Sequence, residues 1–326
     1  MANAGATELK PLIIRLRNWV GEVVLALPTL TLLQRSGYQL HLVGKPWARE
    51  LLAAHGWPVH VRPRGTGAAI AQLRQLRLQS RIIDPQFDAQ TNALLLTESF
   101  SSAFEARLAG LRPVGATADF RSLLLSKSIR IAESTHMAQR FWQVGSLLAA
   151  LDALPAKPAA YLLPDDGQNR AARDLLQSRN LLGPYAVLCP FSGAGDPDGR
   201  KRWPAFRELP ARLRARGLGV LICPGPGETE IAAREFPREL LAENVSLGVC
   251  AALMRDAFCT IANDTGPGHI AAAVGARLLS LYGPGSAARW TPVGPDVTVL
   301  RPEGRWSQLD EVLAELPGPP TSAQCR

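Results

Sequence analysis

The chain has 326 residues, 47% apolar and 6% aromatic, which suits two soluble globular domains and excludes a fibrous or wholly disordered protein. Lys and Arg number 36 against 28 Asp and Glu, a formal charge of +8 that favours anionic partners. No stretch alternates basic and aromatic residues and no zinc-finger, helix-turn-helix or RNA-binding signature is present, so nucleic acid is not an expected partner. Only the ends, MANAGATE and PGPPTSAQCR, read as disordered. Cys189, Cys223, Cys250, Cys259 and Cys325 are scattered without a CxxC pair and read as free thiols in a reducing compartment. There is no basic-then-apolar leader and no run long enough to cross a bilayer, so the expected location is the cytoplasm, with the option of resting on a membrane face.

Leu12–Leu16 reads as a strand, followed by the short loop RNWVGE and an apolar, helix-compatible run, Val23–Leu33. Strand, Gly-containing loop and helix form the first βα unit of a doubly wound sheet. Gly21 suits the tight turn or close approach of a ligand. Glu22 falls in the first helical turn, where a carboxylate either complements the helix N-terminus or serves as a general base above the carboxyl edge of the sheet. Tyr38–Val43 is the second strand, Trp47–Ala54 a helix and Trp57–Arg62 a third strand. Arg62 and Arg64 in the following turn suit a carboxylate or phosphate, or form a solvated basic turn. Ala68–Leu78 is a basic amphipathic helix, Arg81–Asp84 a strand and Asn92–Leu96 a further apolar segment. Ser99, Ser101 and Ser102 either cap the next helix or bind a sugar. Pro113–Gly115 leads into a short strand, the apolar and basic stretch Phe120–Ile129 carries Arg121 and Lys127, and His136–Leu151 is a helix with His136 as cap or ligand.

The proline-rich stretch Leu154–Pro164 reads as a linker, dividing the chain into domains 1–160 and 161–326. After a helix over Asn169–Ser178, the second domain opens with strand Tyr185–Cys189 and the long loop PFSGAGDPDGRKRWP. Its Lys201 and Arg202 either aim positive charge at a diphosphate or form a solvated cluster. A helix over Pro204–Arg216 and strand Gly219–Cys223 lead to Glu228 and Glu230, which suit a ribose hydroxyl pair or a helix N-terminus. Helix Ser246–Met254 and strand Phe258–Ala262 precede the densest motif, Asn263–Pro292. Here Asp264, Thr265, Gly266 and His269 stand at one strand end before helix Pro267–Val274. Tyr282, Gly283, Pro284, Gly285 and Ser286 stand at the next, after strand Arg277–Tyr282, in an arrangement suited to phosphate. Trp306–Leu316 is the last helix. There is no GxGxxG before a helix, no Walker lysine motif, no metal-ligand spacing and no GxSxG elbow, which argues against a nicotinamide dehydrogenase, a P-loop NTPase, a metal centre and a serine hydrolase.

Four segments, LIIRLRNWVGEVVLALP, GRKRWPAF, CAALMRDAFCTIANDTGPGHIAAAVG and LLSLYGPGSAARWTPVG, resemble in order those of the ADP-heptose:lipopolysaccharide heptosyltransferase family, glycosyltransferase family 9. The segment LLLTESFSSAFEARLAGLRPVG is more similar to the second heptosyltransferase of core assembly than to the first. The resemblance implies an α/β protein of GT-B fold, two Rossmann-like domains facing across a central cleft, the first for the acceptor and the second for a nucleotide sugar. It implies inverting transfer of L-glycero-D-manno-heptose from ADP-heptose to the lipopolysaccharide inner core, with Kdo-lipid A or a heptosylated core as the anionic acceptor. The enzyme would work without a metal or other cofactor at the inner face of the inner membrane of a Gram-negative bacterium. Carried over by position, Glu22 matches the base, where the family usually has aspartate in a GD pair. Lys201 matches the lysine of the K-x-W-P element, with Arg202 beside it. Asp264, Thr265, Gly266 and His269 match the donor loop. Beside these matches, Glu230 is a candidate for the ribose hydroxyls, Ser99 for a sugar, and Arg62, Arg64 and Arg121 for the acidic sugars and phosphates of the acceptor. Two other readings stay open: a GT-B transferase using another nucleotide sugar or acceptor, and a non-catalytic nucleotide- or glycolipid-binding relative.

Overall fold

The structure, a computed structural model, describes residues 10–118, 120–157, 161–193, 196, 199–285, 288–316 and 318. The chain divides between Pro155 and Ala156 into two compact units. In chain order the first comprises β1 (Lys10–Arg15), α1 (Val20–Arg35), β2 (Tyr38–Gly44), α2 (Trp47–Leu51), β3 (Val59–Val61), α3 (Thr66–Ile83), β4 (Ala93–Leu95), α4 (Phe100–Leu108), β5 (Pro113–Ala116), β6 (Lys127–Ile129) and α5 (Met137–Gly145). The second comprises α6 (Asp166–Ser178), β7 (Tyr185–Cys189), α7 (Leu209–Arg214), β8 (Gly219–Ile222), α8 (Thr229–Glu235), β9 (Leu240–Leu241), α9 (Leu247–Arg255), β10 (Cys259–Asn263), α10 (Gly266–Ala273), β11 (Leu278–Leu281), β12 (Val297–Leu300) and α11 (Leu309–Ala314).

Each unit carries a six-stranded parallel sheet. The orders are β3-β2-β1-β4-β5-β6 and β12-β11-β10-β7-β8-β9. In both, the chain starts in the middle, winds to one edge, then returns to the middle and winds to the other. The reversal falls between β1 and β4 in the first unit and between β7 and β10 in the second. The connections after those neighbouring strands diverge to opposite faces, and the gap they leave at the strands' carboxyl ends is where such sheets bind ligands. Parallel strands covered on both faces read as continuous apolar runs, and β7 and β10 are buried at every position.

Helix α1 is buried along most of its length, which is why its sequence shows little amphipathic alternation. It packs on α5, and the approach needs Gly145: a Cβ there would stand 2.4 Å from Thr29 Cγ2. Helices α3 and α4 cover the sheet with Leu73, Leu76, Ala103 and Ala106, packed on Ile13 and Leu95. Helix α3 runs to Ile83, so the expected strand at Arg81–Asp84 is not formed. The exposed Ile82 and Ile83 are β-branched residues on the outer face of a helix, which ends only where Pro85 forces Asp84 into an extended conformation. The expected helix Pro204–Arg216 begins as a 3-10 turn, Pro204–Glu208, before α7. The short strands β6, β9 and β12 were not foreseen. Cys189, Cys223, Cys250 and Cys259 are free and buried, while Cys325 lies outside the described residues.

One buried side chain organises the carboxyl edge of the second sheet. Asn263, the last residue of β10, is fully buried; its Oδ1 accepts from the Trp203 N–H at 2.9 Å and its Nδ2 donates to the Pro190 carbonyl at 2.7 Å. It therefore ties both ends of the loop that follows β7. Trp203 is anchored again by its indole N–H on the Ser307 carbonyl at 2.8 Å and by edge-on packing with Phe206.

Near the edge of the first sheet, His41 on β2 and His60 on β3 face each other with ring nitrogens 3.4 Å apart, and His41 Nε2 is buried without a partner. Burial pushes both rings below the ordinary imidazole value, helped by the neighbouring His60 at His41 and by Arg49 at His60. The unfolded chain takes up protons near pH 6.5 and the folded one only at lower pH, so this contribution to stability is present above that value and is lost as pH falls below it.

Two outcomes are expected. Asn263→Ala, which strands the Pro190 carbonyl and the Trp203 N–H, should lower stability in urea unfolding by about 2–4 kcal/mol. The apparent Tm should fall between about pH 7.5 and pH 5, and His41→Gln with His60→Gln should make that fall smaller; an unchanged slope would remove the pair as its source.

Candidate functional site

Both reversal points carry charged and polar residues. In the first unit Glu22 lies in the opening turn of α1, directly beyond the carboxyl end of β1, and is 7% exposed. Arg17, from the loop between β1 and α1, donates to Glu22 Oε1 at 2.5 Å. Oε2 has no hydrogen-bond partner among the described residues. A carboxylate fixed through one oxygen and open at the other, at a helix N-terminus, is geometrically suited to accept a proton.

Arg121 lies beyond the neighbouring strand, β4. It is completely buried, and its Nη1 donates to the Thr97 carbonyl at 2.5 Å, while Nε and Nη2 lack partners among the described residues. Desolvation lowers its pKa to about 10; Glu98 pulls the other way and Arg17 adds to the lowering. Glu98 is itself held by Arg140 at 2.8 Å. Gly115 makes room for the guanidinium, since a Cβ there would stand 2.7 Å from Nη2. A buried guanidinium with two unspent donor groups is costly unless an anion is supplied.

The other acceptor-side candidates divide. Arg62 turns inward onto the buried Glu105, Nη2 to Oε1 at 2.5 Å, so its charge is neutralised within the unit. Arg64 is exposed in the turn before α3. Ser99 caps α4, its hydroxyl accepting from the Ser102 N–H at 3.4 Å and from Ser101 Oγ at 3.2 Å, and it stays exposed beyond β4. His136 likewise caps α5, through the Ala138 N–H.

In the second unit the loop tied by Asn263 is held internally by Asp196. Its carboxylate accepts from the Ser192 hydroxyl at 2.7 Å and from the N–H groups of Arg200 and Lys201 at 2.9 and 2.8 Å. Burial opposes that charge, but these donors outweigh it and hold the carboxyl below its usual range. Within the GAGDPDG segment, Ala194, Gly195, Pro197 and Asp198 lie outside the described residues. Buried Trp203 fixes the stretch just before α7 in the core, leaving Lys201 half-exposed with Nζ 3.4 Å from Asp264 Oδ2. Arg202 instead pairs with Glu235 at 2.5 Å and lies over the Phe191 ring.

Asp264 is almost buried at the end of β10. Thr265 is the N-cap of α10 in an extended conformation, and its side chain makes no capping bond; Gly266 opens the helix and Pro267 follows. Pro267 has no N–H and the Gly268 N–H is spent on the Thr265 carbonyl at 3.1 Å, so the backbone donors left at the reversal point without a side-chain acceptor are those of Thr265 and Gly266. His269 is buried within α10. Tyr282 is wholly buried and donates to the Trp290 carbonyl at 3.1 Å; burial, then Asp264, push its hydroxyl pKa up. Ser286 lies outside the described residues.

Lys201 and Asp264 are thus brought together, with Thr265 and Gly266 adjoining in sequence, while Arg202 is engaged elsewhere. Glu230 is exposed on the first turn of α8. The carboxylate that faces the loops is Glu228, which accepts from Gly193 N–H at 2.8 Å and Gly225 N–H at 2.6 Å, joining the turns after β7 and β8. The positioning roles of Asn263, Asp196 and Arg17 were not foreseen. Asn263 alone had a signal, an amide at the end of an apolar strand. Among the described residues no group of three or more His, Cys, Asp or Glu is arranged to hold a metal ion.

The sequence model of glycosyltransferase family 9 (heptosyltransferase) matches residues 76–313, more than half of the chain. Lipooligosaccharide heptosyltransferase 2 of Haemophilus influenzae is 24% identical over 313 residues, covering 87% of this chain and 86% of that protein. Lipopolysaccharide heptosyltransferase 1 of Pseudomonas aeruginosa is 28% identical over 287 residues, covering 81% and 76%. Relatives of both types match at similar identity, so the likeness reaches the family and not the type. Among solved structures, a family 9 glycosyl transferase from Veillonella parvula matches with a TM-score of 0.76 at 19% identity, over 93% of this chain and 88% of that one. The ADP-heptose lipopolysaccharide heptosyltransferase II of Escherichia coli matches with a TM-score of 0.70 at 22% identity, over 89% and 90%. The two parallel sheets flanked by helices have the two-Rossmann-domain architecture called GT-B, and the chain belongs to glycosyltransferase family 9.

Proposed function

We propose that the protein is an inverting glycosyltransferase that moves L-glycero-D-manno-heptose from ADP-heptose to the anionic inner core of lipopolysaccharide at the cytoplasmic face of the inner membrane. Family membership supports the reaction class. The observation that carries the mechanism is the division of chemistry between the reversal points: a nearly buried carboxylate at one, and a lysine beside an uncapped helix N-terminus at the other.

In this reading Glu22 Oε2 takes the proton of the acceptor hydroxyl, and the oxygen attacks the anomeric carbon as the bond to the diphosphate breaks. Lys201 and the N–H groups of Thr265 and Gly266 stabilise the charge that grows on the departing ADP. Asp264 orients Lys201 and the sugar hydroxyls rather than the phosphates, because it is itself an anion. Arg64 and Ser99, both exposed, are the candidates for the acidic groups and sugars of the acceptor, whereas the wholly buried Arg121 would bind one only if the loops around it opened. Arg62 acts by holding Glu105 rather than by touching the acceptor. Glu230 remains the candidate for the ribose hydroxyls, on the turn ordered by Glu228. The segment from Leu94 to Gly115 favours the second heptosyl addition, with a heptosylated core as acceptor.

Turnover with ADP-heptose, compared with UDP- and GDP-sugars and with acceptors bearing or lacking the first heptose, tests donor and acceptor. A preference for a non-adenine nucleotide would redirect the assignment to another GT-B transferase, and absence of turnover with every donor would leave a binding relative. Glu22→Gln should lower kcat by about 10²- to 10⁴-fold with little change in ADP affinity. Glu22→Asp should cost about 10- to 100-fold, because one methylene fewer withdraws the carboxylate from both Arg17 and the hydroxyl. Lys201→Ala should weaken ADP binding in calorimetry by about 10- to 100-fold, as expected for loss of a charge-assisted contact.

A further inference from the structure

Helices α3 and α4 pack on the same face of the first sheet, and their outer faces are unusually apolar for a solvated surface. On α4, Phe100, Phe104 and Leu108 recur at i, i+4 and i+8, all exposed, with the two phenyl rings stacked. On α3, Leu78 and Ile82 are exposed, Ile82 at 85%. The two stripes are neighbours, since Arg74 one turn before Leu78 donates to the Leu108 carbonyl at 3.1 Å. The 3-10 turn Arg121–Leu124 packs beside α4 through Leu124 and thrusts Phe120 and Leu123 outward, each 87% exposed. Phe120 is held at φ +57°, a left-handed conformation that non-glycine residues seldom adopt. Monomers rarely expose so many large apolar side chains together without a partner.

The charge around this surface is predominantly positive. Residues 62–130 contain ten Lys and Arg against five Asp and Glu, five of the chain's net eight positive charges. The acids there are largely spent on arginines: Asp88 on Arg77 and Arg81, Glu98 on Arg140, Glu105 on Arg62. Arg74 and Arg107, beside the apolar stripe, make hydrogen bonds only to backbone carbonyls and no ion pair among the described residues. A second copy using the same patch about a two-fold axis would bring these cations against one another. A surface of phenylalanine, leucine and isoleucine rimmed by unpaired cations is complementary to acyl chains beneath anionic headgroups.

We propose that the outer face of α3, α4 and the Phe120–Leu123 turn docks the protein on an anionic phospholipid bilayer. The proposal builds on the glycolipid acceptor of the preceding section and adds the surface that brings the enzyme to it. Docking through this face sets the Ser99 end of α4, which adjoins the carboxyl end of β4, near the lipid plane.

Co-sedimentation of the full chain with phosphatidylcholine vesicles, with and without about 30% phosphatidylglycerol, tests this. Binding should require the anionic lipid and weaken as salt rises. Leu78→Ser with Ile82→Ser, and separately Arg74→Ser with Arg107→Ser, should each reduce vesicle binding by about tenfold or more. All four positions are solvent-exposed, and both variants should keep wild-type ADP affinity and wild-type turnover on a delipidated, water-soluble acceptor saccharide. Equal binding to neutral vesicles, unaltered binding by both variants, or a light-scattering dimer dissolved by Leu78→Ser with Ile82→Ser would each overturn the proposal, the last assigning the face to a second copy. Turnover without vesicle binding would defeat the docking surface alone; vesicle binding without turnover on any nucleotide sugar would defeat the transferase reading alone.

Discussion

The winding order of the two parallel sheets is the constraint on which the rest depends. A sheet that begins in its middle and winds to one edge before the other must have two neighbouring strands whose connections part to opposite faces. At that gap the strand ends and helix starts cannot be closed by further ladder pairing, so their polar groups are satisfied by side chains, by loop turns or by a ligand. Glu22 and Arg121 occupy this gap in the first unit; Asn263, Asp264 and the start of α10 occupy it in the second. The repeated topology thus carries different side chains at its two reversal points, a carboxylate and a buried guanidinium at one, a lysine–aspartate pair beside an uncapped helix start at the other.

The supporting residues matter as much as those that would touch substrate. Arg17 fixes one oxygen of Glu22 and leaves the other without a hydrogen-bond partner among the described residues. In the second unit, Trp203 is buried so that Lys201, two residues earlier, has a defined starting point despite its own exposure. An exposed lysine contributes little through its ion pair alone, so its value lies in where the backbone releases it.

Much of this was legible in the sequence because α/β units have strong local signatures. The apolar run before WVGE and the NDTGPGH turn stand at the strand ends where the sequence places them, and the KRWP element at the helix start after the long loop. Reading failed where a local pattern has two physical solutions. Arg-Ile-Ile-Asp suits a strand by β-branching, but the helix before it meets no breaker until Pro85. Glu228 and Glu230 lie on one turn, and only three-dimensional loop closure selects Glu228 for the N–H groups of Gly193 and Gly225. Arg62 looked available for a ligand because its partner Glu105 is 43 residues away. Arg121 was recognised as a cation, but its complete burial depends on the space left by Gly115, which no periodicity reveals.

The two hydrogen bonds of Asn263 also bear on how the loop after β7 can vary. Because one amide grips the loop at Pro190 and again at Trp203, the sheet is insulated from whatever lies between. Residues can be gained, lost or exchanged within that span while both attachment points, and the strands behind them, stay in register. Lengthening a loop whose ends are already clamped costs little chain entropy. The clamp therefore confines the effect of such changes to the loop itself, provided that Asp196 and Lys201, which it carries, are kept.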